Sequence, residues 1–160
     1  MIRRQVVLPV DPERLWTALT DPEEVAAWLG GRVEWEVREG APFCFHDDAG
    51  EVRDGRVEAV RPMRHLRFRW WPAGDPGAGE GEATEVSYLL ESVVDGTRLT
   101  VQELVVRRLG AADLDPGGPD RAGPDRREPQ ALAGSWSAWD TRMAGAWYHL
   151  ARRGVEPVGA

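Results

Sequence analysis

The chain has 160 residues, a single cysteine and a formal net charge of −7, from 20 basic and 27 acidic side chains. Its length suits one domain spanning residues 1–160 that buries roughly 70% of its unfolded surface, so no disulfide or metal staple is required. The acidic balance argues against a nucleic-acid surface, which gains affinity from clustered cations that release counterions. No stretch approaches the roughly 20 apolar residues of a membrane-spanning helix, and Met1 to Val10 lacks the apolar run of a secretory leader. A lone, unpaired cysteine then fits a reducing cytoplasm. Every basic residue is arginine, as expected of a GC-rich bacterial genome.

Ile2 to Pro9 reads as a strand, stopped by the proline. Asp11 caps a short helix with Pro12 at its first position, and Leu15, Trp16 and Leu19 form its inward face. Asp21 and Pro22 repeat the device. Glu24 completes a capping-box pattern for a second short helix that ends at Gly30 and Gly31, with Val25, Trp28 and Leu29 buried.

From Arg32 the apolar period changes from that of a helix to that of a strand. The inward sets are Val33, Trp35 and Val37; Phe43 and Phe45; Val57 and Ala59; Leu66, Phe68 and Trp70; Val86, Tyr88 and Leu90; and Leu99, Val101 and Glu103. Turn signals at Gly50, Arg61-Pro62 and Asp95-Gly96 imply hairpins and an antiparallel meander with one wet face. Arg61, Arg64, Arg67 and Arg69 belong to that wet face. Cys44, between Phe43 and Phe45, reads as an inert, half-buried thiol. The Gly-rich segments 73–83 and 110–129 read as mobile, the second as either a lid over the container or, preferred on its composition, slack.

The last element runs from about Pro129 to Arg153 as one helix, with Leu132, Trp136, Trp139, Met143, Trp147 and Leu150 at helical spacing on one stripe. A sheet this rich in inward apolar groups and a helix with an aromatic stripe must bury each other. The predicted class is α+β: a curved antiparallel sheet of seven strands, one before and six after the two short helices, around a long C-terminal helix.

The run from Val10-Asp11-Pro12-Glu13-Arg14-Leu15-Trp16 through Asp21-Pro22, then Trp28, the Gly96-Thr97-Arg98-Leu99-Thr100-Val101 stretch and the Trp-bearing terminal helix resemble the SRPBCC superfamily. Within it, the chain is most similar to the branch named for the activator of Hsp90 ATPase homologue. The resemblance implies a helix-grip fold of the Bet v 1 or START type, with an elongated apolar cavity between sheet and helix. It also implies alternative functions: a co-chaperone-like protein-interaction module, or an enzyme like the polyketide cyclases and dehydratases.

The expected site is a dry ligand pocket of roughly 300–1,000 Å³ facing that helix. Trp35, Phe45, Phe68, Trp70, Tyr88, Leu90, Val101, Trp139, Met143 and Trp147 line it, and Glu103 supplies polarity. An inward Glu103 must be hydrogen-bonded, paired or protonated, and Arg107 or Arg142 is within sequence reach as a partner. The ligand expected is an apolar or aromatic small molecule, with a protein partner as the other possibility and neither nucleic acid nor membrane. No catalytic residue, cofactor or metal is assigned. Ser135 and His149 share a helix but stand roughly 21 Å apart, and His46, His65 and His149 are scattered rather than spaced as metal ligands.

Overall fold

The computed structural model describes residues 1–74, 82–107 and 135–153, with the side chains at 82, 107, 135–141 and 152–153 excepted. The elements are β1 (Ile2–Leu8), α1 (Pro12–Thr20), α2 (Pro22–Leu29), β2 (Gly31–Glu34), β3 (Pro42–Asp47), β4 (Val52–Arg61), β5 (His65–Pro72), β6 (Glu82–Val93), β7 (Gly96–Arg107) and α3 (Ser135–Arg153). The segment 110–129 lies outside the described residues, as do most of 73–83, Leu132 and the side chains of Trp136 and Trp139.

All seven strands form one antiparallel sheet in the order β1-β7-β6-β5-β4-β3-β2. It is a meander from β2 to β7, with β1 returning to pair with β7 through the register Ile2 with Glu103 to Leu8 with Thr97. Gly96 opens β7 at φ 139°, where a Cβ would collide with the Leu8 carbonyl oxygen. The missing side chain is what lets β1 close on the β6–β7 hairpin.

The concave face carries the alternation expected of it. Val33, Phe43, Phe45, Val57, Leu66, Phe68, Trp70, Val86, Tyr88, Leu90, Leu99 and Val101 are all buried. In β4 the pattern breaks. A bulge between Val57 and Ala59 places Ala59 opposite Arg67 and Val60 opposite Leu66, so Val60 packs on the core instead of Ala59. One extra residue reverses the faces beyond it. On the convex side the Glu58 carboxylate lies 3.5 Å from Arg67 Nε and 2.9 Å from Arg69 Nε, pairing charge with two arginines of the wet face.

Asp11 and Asp21 cap the short helices as the sequence indicates. Asp11 Oδ1 accepts from the Arg14 amide at 2.7 Å, and Asp21 Oδ1 from the Glu23 and Glu24 amides at 3.0 and 3.2 Å. The capping-box reading of Glu24 needs correction. The Asp21 amide already donates to the Thr17 carbonyl at 2.9 Å, and the Glu24 carboxylate instead ties three helices together.

The apolar stripe of α3 is also rotated from its predicted position. Met143, Ala146 and Leu150 are buried, whereas Trp147 is 47% exposed. Each helical residue turns about 100°, so burying 143, 146 and 150 leaves 147 on the flank. The roll follows from close packing on α2, where a Cβ on Gly145 would press to 3.2 Å of the Trp28 carbonyl oxygen.

Gly96→Ala should cost about 1–3 kcal/mol, because the new Cβ meets backbone and the φ is one that L-residues avoid. Urea denaturation of the variant reads this directly; an unchanged midpoint would mean that the β1–β7 closure does not need the glycine.

Candidate functional site

The concave face is organised around Phe68. Its ring lies 5.9 Å from Trp35, 5.4 Å from Phe43, 5.4 Å from Trp70 and 5.6 Å from Tyr88, with interplanar angles of 75–86°. These are edge-to-face contacts, each worth about 0.5–1.5 kcal/mol beyond simple burial. Together with Leu19, Val25, Trp28, Leu29, Val33 and Phe45, these rings enclose a void of about 10 Å³. That is the volume of one water position, not of a ligand. At this end of the fold the aromatics fill the space that the sequence assigns to a pocket.

Two of the enclosing tryptophans spend their indole N–H groups on α1. Trp28 Nε1 donates to the Ala18 carbonyl at 2.8 Å, and Trp35 Nε1 to the Thr20 carbonyl at 2.9 Å. The final carbonyls of a helix lack intrahelical partners, so these bonds satisfy both sides. Trp35 accordingly leaves β2 after Glu34 instead of continuing the strand. Trp70 differs: it is 3% exposed and its Nε1 has no hydrogen-bond partner among the described residues. The Arg53 guanidinium lies over its ring, 4.9 Å from the centroid, but cannot accept a hydrogen bond. A bare buried donor costs about 1–3 kcal/mol.

Beyond the rings, the concave face becomes polar. Burial raises the pKa of Tyr88, Arg142 nearby acts to lower it, and Glu103 acts to raise it. Arg142 NH2 also lies 3.7 Å from Asp47 Oδ2 at the end of β3. Three strands and α3 thus bring a neutral phenol, a guanidinium and two carboxyl groups to one region. Alternation identifies Glu103 and Tyr88, and Arg142 is, with Arg107, one of the two arginines the sequence offers to Glu103. Asp47 and Arg53 carry no such signal, since a strand-end aspartate and an edge arginine read as solvated.

The eleven candidate residues therefore fall into separate places. Trp35, Phe45, Phe68, Trp70 and Tyr88 surround the small void. Leu90 and Val101 are buried on the same sheet face outside it, and Glu103 belongs to the polar region. Met143 and Trp147 instead line an open groove of about 360 Å³ with Arg4, Gln5, Val6 and Ala144, between α3 and the edge strand β1. The side chain of Trp139 lies outside the described residues.

Other chemically suggestive groups lie off this face. His65 Nε2 is 2.8 Å from Ser87 Oγ; burial, then Arg67 and Arg61, lower the pKa of His65. Cys44 Sγ is 3.4 Å from His46 Nε2, and burial, followed by Asp54, raises the thiol's pKa, which keeps it protonated. Among the described residues no group of three or more His, Cys, Asp or Glu side chains could hold a metal ion, and no helix is long and apolar enough to cross a membrane.

At the helices, Glu24 Oε2 accepts from Arg14 NH2 of α1 and His149 Nε2 of α3, both at 2.9 Å. Burial acts to raise the pKa of Glu24, yet these hydrogen bonds and charges outweigh it and hold the carboxyl below its ordinary value. This clasp positions α3 over the concave face.

An antiparallel sheet curled around a C-terminal helix, with two short helices bracketing the open end, is the helix-grip class of Bet v 1 and START-like proteins. The chain belongs within that class to the family described as activator of Hsp90 ATPase homolog 1-like protein, matched over residues 9–144. Among solved structures it is similar to protein MLL2253 from Mesorhizobium loti, at 26% identity and a TM-score of 0.71, covering 94% of this chain and 96% of that one. It is similar also to DynU16, a putative protein in the dynemicin biosynthetic locus, at 25% identity and a TM-score of 0.70, covering 93% of this chain and 46% of that chain. CalU16 from Micromonospora echinospora, at 20% identity and a TM-score of 0.61, covers 95% of this chain and 75% of its own and shares the fold. No curated protein matches.

Because the folded pKa of Glu24 is depressed, its contribution to stability is complete above the unfolded value of 4.5 and is lost as pH falls through the folded value. Wild-type protein should therefore lose stability between about pH 5 and pH 3 more steeply than Glu24→Gln. Denaturant midpoints across that range test this, and parallel curves would remove the clasp's electrostatic role.

Proposed function

We propose that the chain is a single-domain small-molecule binding protein that holds an apolar or aromatic ligand between the concave sheet face and α3. The observation that carries this reading is the polar region of Tyr88, Glu103 and Arg142 set within an otherwise aromatic and aliphatic face. A core built for packing alone gains little from a phenol and a carboxylate there, whereas ligand sites combine apolar walls with a few convergent polar groups. Binding at the ring-filled end requires displacement of aromatic side chains, so ligand and protein adapt together.

The charge states favour holding a ligand over transforming it. Tyr88, with its pKa raised by burial, stays a hydrogen-bond donor at neutral pH and is a poor proton source. The place of DynU16 in a biosynthetic locus is compatible with a small-molecule ligand, and a cyclase or dehydratase reaction in this chain would need Glu103 as its base.

A second reading rests on the α3–β1 groove. Trp147, which lines it, is 47% exposed, and an exposed aromatic of this kind anchors protein partners. That surface is where a co-chaperone-like contact would form.

Native mass spectrometry and tryptophan fluorescence, with a panel of fatty acids and flat aromatics, test the preferred reading. Saturable binding is expected, weakened by about three- to tenfold in Tyr88→Phe and in Glu103→Gln. Binding that both variants leave intact would move the ligand away from the concave face.

A further inference from the structure

Three tryptophans enclose the small void, and their indole N–H groups are treated differently. Those of Trp28 and Trp35 are each bonded to a carbonyl near the end of α1, at 2.8 and 2.9 Å. That of Trp70 is buried and bonded to nothing among the described residues. Its surroundings offer little relief: Phe45 and Phe68 pack against its ring, with centroids 5.5 and 5.4 Å away, and the Arg53 guanidinium lies over a face. An indole N–H can only donate, and neither hydrocarbon rings nor a guanidinium can accept. Buried polar groups are satisfied almost everywhere in native proteins, so this donor is open to an acceptor from a water or a ligand.

Resting on the small-molecule reading above, we propose that Trp70 determines specificity: its N–H selects a ligand that presents an acceptor oxygen, such as a ring carbonyl, on an otherwise apolar body. Trp70 borders the void of about 10 Å³, so a ligand that reaches its N–H must displace neighbouring side chains. A hydrocarbon of the same shape leaves the indole bare and binds less well, because a site built around a polar group discriminates against the ligand that lacks its partner.

Fluorenone and fluorene, which share a ring skeleton and differ in one carbonyl, provide the test on the full chain. Titrations followed by nuclear magnetic resonance of the tryptophan indole groups, with that of Trp70 assigned by connectivity, should show fluorenone binding about tenfold tighter. The Trp70 indole proton should shift downfield with fluorenone alone, and Trp70→Phe should reduce the preference to about onefold. Equal affinities with an unmoved Trp70 resonance would overturn the inference while leaving the binding reading in place. Binding of neither compound would overturn the inference, and the wider panel of fatty acids and flat aromatics then decides the binding reading. If Trp70→Phe does not fold, the wild-type affinity ratio and the indole shift decide the matter by themselves.

Discussion

The structure depends on the edge-to-face cluster centred on Phe68. Four aromatic side chains from β2's exit, β3, β5 and β6 meet that ring at 5.4–5.9 Å. Such contacts are directional, so they fix the relative positions of strands that backbone hydrogen bonds alone would let slide or flatten. Gly55 makes part of this possible: a Cβ there would strike the Phe43 ring. The curl of the sheet, the entry of Trp35 beneath α1 and the burial of Tyr88 all follow from packing these rings on one concave surface.

Against that interior the helices act as a bracket. The Asp11-Pro12 and Asp21-Pro22 starts set the lengths of α1 and α2, and the carbonyls at the end of α1 receive Trp28 and Trp35. Glu24 then extends the bracket to α3 through His149, while Gly145 permits the close crossing over Trp28. The same close crossing rolls α3, places Met143 beside β1 and leaves Trp147 partly in water. Packing at the open end of the fold thus decides which face α3 presents to the sheet. The polar region of Arg142, Tyr88 and Glu103 lies on the inner side as a result, and the groove by β1 on the outer side.

The sequence by itself determined the class and order of the elements, because period, caps and turns are local. Asp-Pro pairs announce helix starts, glycine at the end of α2 supplies its left-handed cap at φ 81°, and alternation identifies the inward residues of β3, β5, β6 and β7. It also brought Glu103 to the concave side, since alternation is indifferent to whether the inward residue is apolar. Only the tertiary structure decided the rest. A bulge at Glu58 has no residue signature, so the exchange of Ala59 for Val60 was not legible. Glu24 fits a capping box on spacing alone, but its partner 125 residues away wins the carboxylate. The size of the void and the lack of a hydrogen-bond partner for the Trp70 N–H among the described residues depend on how rings from distant strands interlock, and close packing is a property of the whole interior rather than of any segment.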